Sequence, residues 1–94
     1  MSLENKFIDA ARRGEEVIVK DCLDAGVDID VGDRSGYTAL QEAAENGHIK
    51  IVRFLLEKGA AVDAVSHKGN AALQWAADRG HLDIIQLLLG NDNK

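Results

Sequence analysis

The chain has 94 residues, of which 16 are acidic and 11 are basic, and its formal net charge is −5. This length fits one domain with a modest core, and the negative charge argues against nucleic acid and anionic membranes as partners. The apolar runs are too short to span a membrane, charged residues interrupt any signal-peptide stretch near the start, and the lone Cys22 indicates a reducing compartment. We therefore expect an intracellular protein, either cytoplasmic or nuclear.

The sequence repeats itself with a period of 33 residues. Each unit predicts two short helices and a turn, because apolar residues recur at helical spacing and glycines separate the runs. A unit of this size cannot bury its own apolar face, so the units must stack. The aligned positions include Phe7, Leu40 and Leu73; Ala10-Ala11, Ala43-Ala44 and Ala76-Ala77; Gly14, Gly47 and Gly80; Val19, Val52 and Ile85; and Leu23, Leu56 and Leu89.

The first unit, about residues 1–32, is polar where the later units are apolar. Lys6, Glu16 and Asp21 occupy positions at which the second unit has an alanine, an isoleucine and a phenylalanine. A terminal repeat needs a polar outer face to stay soluble. We therefore interpret this unit as an N-terminal cap of the stack.

The second unit, about residues 33–65, is the most regular. Thr38 can cap an inner helix that ends at about Asn46, and a second helix follows Gly47 over about residues 49–58. The chain then returns in an extended turn with its tip near 67–69. The residues expected to be buried are Leu40, Ala43 and Ala44 in the inner helix and Ile49, Val52, Leu55 and Leu56 in the outer helix.

The third unit, about residues 66–94, departs from this pattern at both of its helices. Ala71 stands where a capping hydroxyl is expected, which typically costs about 1 kcal/mol, so we expect its inner helix to fray most easily. Leu82 and Leu87 keep interior-type identities, and no polar cap follows them. Either the chain is part of a longer array, or this open end packs against something.

These residues carry a family resemblance. The second unit resembles an ankyrin repeat, and the third unit and residues 7–31 match it in turn. The resemblance implies an all-α solenoid of stacked helix-turn-helix units with β-hairpin-like connecting loops, a protein-binding function, and no catalytic, cofactor or metal site. The family's usual Thr-Pro-Leu-His is replaced here by Thr38-Ala39-Leu40-Gln41. The matching segments are Asp33–Leu40, Ala43-Ala44, Gly47-His48, Ile51-Val52, Leu55-Leu56 and Gly59-Ala60.

The resemblance also implies where a partner binds. Residues of the inner helices that face away from the buried alanines, together with the loop tips, form the concave surface that grips partners in ankyrin proteins. Tyr37 and Trp75 stand out, because exposed aromatics near arginine often dominate binding energy. The alternative for Trp75 is that it only covers its own inner helix, and for the acidic residues that they form a solvated face. The expected partner-binding residues are Arg34, Ser35, Tyr37, Glu42, Glu45, Asn46, His67, Lys68, Asn70, Trp75, Asp78 and Arg79, with Asp9, Arg12 and Arg13 at the corresponding places of the first unit.

The other candidate reactive groups have structural explanations. His48 and His81 hold the same position in successive units, so they cannot converge on one metal ion; the resemblance implies that each hydrogen-bonds near a helix junction. Cys22 occupies the place of Leu55 and Leu88, so we expect it to be buried and unreactive. The acidic pairs and the Gly32–Gly36 segment show no catalytic or phosphate-binding spacing.

The favoured function is therefore a non-catalytic module that binds an unidentified protein. Two alternatives stay open. The open end of the third unit can support a weak homodimer or continue into more repeats. A ligand-binding or catalytic protein would need a closed pocket, which the sequence does not indicate.

Overall fold

A computed structural model describes residues 2–90, and the outer parts of the expected domain, residue 1 and residues 91–94, lie outside this range. The described chain forms three successive helix pairs. The inner helix of each pair packs beside the inner helix of the next, and the second outer helix contacts the outer helices on either side of it. The helices are α1 (Leu3–Arg13), α2 (Glu16–Asp24), α3 (Ala39–Glu45), α4 (Ile49–Glu57), α5 (Ala72–Asp78) and α6 (Leu82–Gly90).

The all-α architecture expected from the sequence is confirmed, and α3 and α4 begin and end within one or two residues of their predicted limits. The connecting loops have less strand character than expected, because the described residues contain only one isolated β-bridge, between Gly32 and Thr38. No helix within residues 2–90 has the length and apolar content needed to cross a membrane.

The three inner helices begin in different ways. The Ser2 side chain accepts a hydrogen bond from the Asn5 N–H, and that of Thr38 accepts one from the Gln41 N–H. Ala71 has no side-chain acceptor, as the sequence predicted, but the Gln74 Oε1 accepts a hydrogen bond of 2.6 Å from the Ala71 N–H. The inner helix of the third pair therefore keeps the glutamine half of a capping box and lacks the hydroxyl half.

The core lies between the helix pairs, and the burial of a repeated position depends on which pair it belongs to. Phe7 and Leu40 are buried, whereas the aligned Leu73 is only half-buried. Ala44 is fully buried, whereas the aligned Ala77 is exposed. Aligned positions of successive units therefore differ in burial, because no fourth pair covers the far side of α5 among the described residues.

Histidines join one helix pair to the next. The Nε2 atom of His48 lies 2.9 Å from the Arg12 carbonyl oxygen, and that of His81 lies 3.0 Å from the Glu45 carbonyl oxygen. Each ring thus donates to an otherwise free carbonyl near the end of the preceding inner helix. This arrangement confirms the structural explanation of both histidines.

The outer helix of the third pair leaves part of its apolar surface uncovered. Leu82 is 72% exposed and Leu89 is 58% exposed. Leu87, which we expected to be uncovered together with Leu82, is instead half-buried against the core. The open end of the described chain is therefore formed by Leu82 and Leu89, since Leu87 turns inward.

Candidate functional site

The loops before α3 and α5, together with one side of α3, border an open cavity of about 320 Å³. Six of the expected partner-binding residues line it, and Asp33 is a seventh lining residue. We call it the Tyr37 cavity, and its lining residues are Asp33, Arg34, Ser35, Tyr37, Glu42, His67 and Lys68.

Backbone hydrogen bonds hold the two loops of the Tyr37 cavity together. The Asp33 Oδ1 accepts hydrogen bonds from the Ser35 N–H at 2.9 Å and the Tyr37 N–H at 3.0 Å, which closes the first loop. The His67 N–H then donates to the Ser35 carbonyl at 2.8 Å. This close approach requires a glycine at position 36, whose φ is 81° and where a Cβ atom would lie 2.7 Å from the His67 ring.

The two aromatic residues form a contact between successive helix pairs. The ring centroids of Tyr37 and Trp75 are 5.2 Å apart, and the ring planes are tilted by 40°. Both side chains are half-buried, so the expectation that Trp75 is an exposed anchor is wrong in degree. The physical reason is that the Tyr37 ring from the preceding unit covers part of the indole. Such an aromatic pair contributes about 0.5–1.5 kcal/mol beyond the area that it buries.

Trp75 also lines a second cavity, of about 340 Å³. Asn70 and Asp78, two more of the expected binding residues, lie there. We call it the Trp75 cavity, and it is lined by Asn70, Gln74, Trp75, Ala77 and Asp78.

A third cavity, of about 240 Å³, lies between the first two helix pairs. It shares two wall residues, Asp33 and Glu42, with the Tyr37 cavity, so the two spaces adjoin. We call it the Asp9 cavity, and its lining residues are Asn5, Ile8, Asp9, Arg12, Asp33 and Glu42.

The electrostatic environment of this region is negative. Burial raises the pKa of the half-buried Glu42 carboxyl above its usual range, and the carboxylates of Glu45 and Asp33 raise it further, while Arg12 lowers it. The pKa of the Tyr37 hydroxyl is raised by desolvation first and then by Glu45 and Glu42. The smaller, charge-dependent part of both shifts comes from neighbouring carboxylates, which disfavour a further negative charge beside Glu42 and Tyr37.

Other expected binding residues are already engaged within the chain. The Arg79 guanidinium lies 2.8 Å from a Glu45 carboxylate oxygen and joins α5 to α3. Asp9 forms ion pairs with Arg12 and Arg13 on its own helix. Asn46 lies at the end of α3, where its side-chain amide donates to the Glu42 carbonyl at 2.8 Å. Of these contacts, only the Arg79–Glu45 ion pair joins two helix pairs. Asp9 and Arg12, although paired with each other, also line the Asp9 cavity.

Sequence analysis missed two residues of these cavities. Asp33 was recognised only as part of the repeat motif, although its position two residues before a serine and three before a glycine is typical of an Asx turn. Gln74 was recognised only as a departure from the family pattern, and its spacing three residues after the cap position is the sequence signal for a capping role.

The surroundings of Cys22 agree with its assignment to the core. Cys22 is 2% exposed, and burial raises the pKa of its thiol, with a smaller opposing effect from Lys6. The expectation that Cys22 is a buried core residue is therefore confirmed. Between Ser2 and Gly90, no three His, Cys, Asp or Glu side chains are grouped so that they could hold a metal ion.

Comparison with known protein families agrees with this architecture. The family described as ankyrin repeats in three copies matches residues 7–94. No curated protein is similar enough to be counted as a relative. Ankyrin repeats are generally non-catalytic modules for protein–protein interaction, and they stack as helix pairs in the way that α1 to α6 do. Because the match covers nearly the whole sequence, the chain belongs to the ankyrin repeat family.

Proposed function

We propose that this chain is a non-catalytic interaction module that binds a protein partner through the surface formed by the Tyr37 cavity and the Trp75 cavity. The observation that carries this proposal is the Tyr37 cavity itself, in which two successive loops and one inner helix converge around about 320 Å³. We place the repeats at about residues 1–32, 33–65 and 66–94, so this surface spans the second and third repeats.

The chemistry of the surface supports binding rather than catalysis. It combines half-buried aromatic rings with an exposed Arg34 side chain, and aromatic residues and arginine are enriched in protein interfaces. The net charge of −5 disfavours nucleic acid as the partner. The buried Cys22 thiol is compatible with an intracellular location, either cytoplasmic or nuclear.

The test is a quantitative pull-down from cell lysate that compares three forms of the protein. The Arg34→Ala/Lys68→Ala variant removes two exposed loop side chains and should not disturb folding, whereas Tyr37→Ala/Trp75→Ala removes the aromatic pair. The matched control, Arg53→Ala/Glu57→Ala, changes two exposed residues of the outer helix α4. Circular dichroism verifies that each variant is folded.

Proteins that bind the wild type and the control, but not the loop variant, would support the proposed surface. If the α4 control lost as much binding as the loop variant, the interaction would lie elsewhere. The same would follow if neither the loop variant nor the aromatic variant lost any binding.

A second candidate function is self-association through the open end, and the exposed Leu82 and Leu89 favour it. Exposed aliphatic side chains gain roughly 1.5–3 kcal/mol each when they are fully buried. The same surface would also accept a further repeat of a longer array. Sedimentation equilibrium over a concentration series separates the candidates, because a monomer at high concentration would contradict the dimer.

A further inference from the structure

The carboxylates near the Tyr37 cavity differ in whether an arginine neutralises them. Asp9 pairs with two arginines and Glu45 pairs with Arg79. Among residues 2–90, none of the ion pairs involves Glu42, although Arg12 lies near enough to lower its pKa. Glu42 is therefore a half-buried carboxylate that has no ion-pair partner within the described chain.

The position of Glu42 makes this charge accessible to a bound partner. Its side chain belongs to the wall shared by the Tyr37 cavity and the Asp9 cavity, so both adjoining spaces reach it. Asp33 belongs to the same wall, and its Oδ1 atom already accepts two backbone hydrogen bonds. A ligand that extends from one cavity into the other would pass both carboxylates.

Tyr37 contributes an aromatic ring to the lining of the Tyr37 cavity. The Tyr37 ring packs against Trp75, with the two ring centroids 5.2 Å apart, and its backbone is fixed by the turn that Asp33 closes. Cationic side chains bind well to aromatic rings beside a carboxylate, because the face of the ring and the carboxylate both attract positive charge.

The basic residues of the cavity do not cancel this attraction. Arg34 and Lys68 are exposed at the loop tips, where water and salt screen their charges. Glu42 is half-buried, so its charge is screened less. The volume of about 320 Å³ is at the small end of ligand sites, which are roughly 300–1,000 Å³, and suits one long side chain rather than a whole peptide.

We propose that the Tyr37 cavity binds a basic side chain, arginine or lysine, from an extended segment of the partner, with Glu42 as its charge partner and Tyr37 as its aromatic wall. This inference rests on the proposed function and specifies the partner's chemistry. The neighbouring residues of the partner segment run along the shared Asp33–Glu42 wall toward the Asp9 cavity.

The first experiment selects random peptides displayed on phage against the wild-type protein. The expected result is enrichment of arginine or lysine at one position of the selected peptides. A selection that yields no binder, or binders without an enriched basic position, would overturn the inference.

The second experiment measures the affinity of one selected peptide by fluorescence polarisation. Glu42→Gln keeps the shape of the side chain and removes its charge, so it should weaken binding about tenfold or more. The matched control, Glu57→Gln, removes one exposed charge from α4 and should change affinity less than about twofold. Replacing the arginine of the peptide by the neutral citrulline, or a lysine by norleucine, should weaken its binding to the wild-type protein as much as Glu42→Gln weakens binding of the original peptide. Equal effects of the two protein variants would show that only the overall charge matters and would overturn the inference.

The outcomes distinguish this inference from the proposed function. Peptides that lose affinity with Arg34→Ala/Lys68→Ala but not with Glu42→Gln would overturn the basic-side-chain site and leave the proposed surface standing. Peptides that are insensitive to every cavity variant would count against both.

Discussion

The second and third helix pairs have nearly the same sequence pattern but different surroundings. Leu40 is 2% exposed, whereas Leu73 at the same repeat position is half-buried. Leu56 is 9% exposed, whereas the aligned Leu89 is 58% exposed. The difference arises because α3 and α4 have a neighbouring pair on each side, whereas α5 and α6 have one on a single side within the described chain. In a stacked solenoid, the sequence of a repeat unit therefore determines which side chain is present, whereas the adjacent units determine how much of that side chain is buried.

The largest expected effect comes from removing the inner-helix leucines one at a time. Leu40→Ala should lower the free energy of unfolding by about 3–5 kcal/mol, because a fully enclosed side chain leaves a cavity. Leu73→Ala should cost less, about 1–2 kcal/mol, because Leu73 is only half-buried and no further helix pair covers it within the described chain. Urea unfolding followed by circular dichroism measures both. Equal losses would mean that Leu73 is enclosed as well as Leu40 is.

A second test uses the glycines that end the inner helices. Gly47 and Gly80 both have positive φ, at 77° and 73°, so alanine is strained at either position by about 1–2 kcal/mol. A Cβ atom at Gly47 would also lie 2.9 Å from the His81 ring, whereas one at Gly80 would meet nothing within 4 Å. Gly47→Ala should therefore destabilise the protein by about 1 kcal/mol more than Gly80→Ala, because it disturbs the His81 hydrogen bond. Chemical denaturation of the two variants provides the comparison, and equal effects would rule out this coupling.

Much of this architecture could be predicted from the sequence, because the repeat period, the cap at Thr38 and the helical spacing around Leu40 are local signals. The details of the cavities could not. Trp75 is half-buried because Tyr37 approaches it across a repeat boundary, and the pKa of Glu42 is raised by burial first and then by the carboxylates of Glu45 and Asp33. Gln41, a buried departure from the family pattern, donates to the Ala64 carbonyl at 2.8 Å, 23 residues along the chain. The Tyr37–Trp75 contact crosses a unit boundary, and the Gln41–Ala64 contact joins the two ends of the second unit, so neither follows from the local spacing of residues.

A smaller effect should come from the missing hydroxyl of the third pair. Ala71→Thr would add an acceptor for the N–H of Gln74, whose side chain already accepts from the Ala71 N–H, and so complete the capping box. We expect a gain of about 0.5–1 kcal/mol, seen as a higher melting temperature. The reverse change, Thr38→Ala, should cost the second pair a similar amount. A lower melting temperature for Ala71→Thr would show that α5 does not begin at Ala72 in solution.

The smallest effect on stability should come from Leu82→Glu at the open end. Leu82 is 72% exposed, so the substitution loses little packing, and a carboxylate in the first turn of α6 is favoured by the helix dipole by roughly 0.3–1 kcal/mol. We therefore expect the free energy of unfolding to change by less than about 0.5 kcal/mol. Any concentration-dependent association measured by sedimentation equilibrium should weaken, because an exposed apolar side chain is replaced by a charge. The matched change Leu87→Asp should behave differently and destabilise the protein, since it would place a carboxylate against the core. If Leu82→Glu destabilised the protein as strongly as Leu87→Asp, Leu82 would be covered in solution, and the contrast between the second and third pairs would be smaller than the structure indicates.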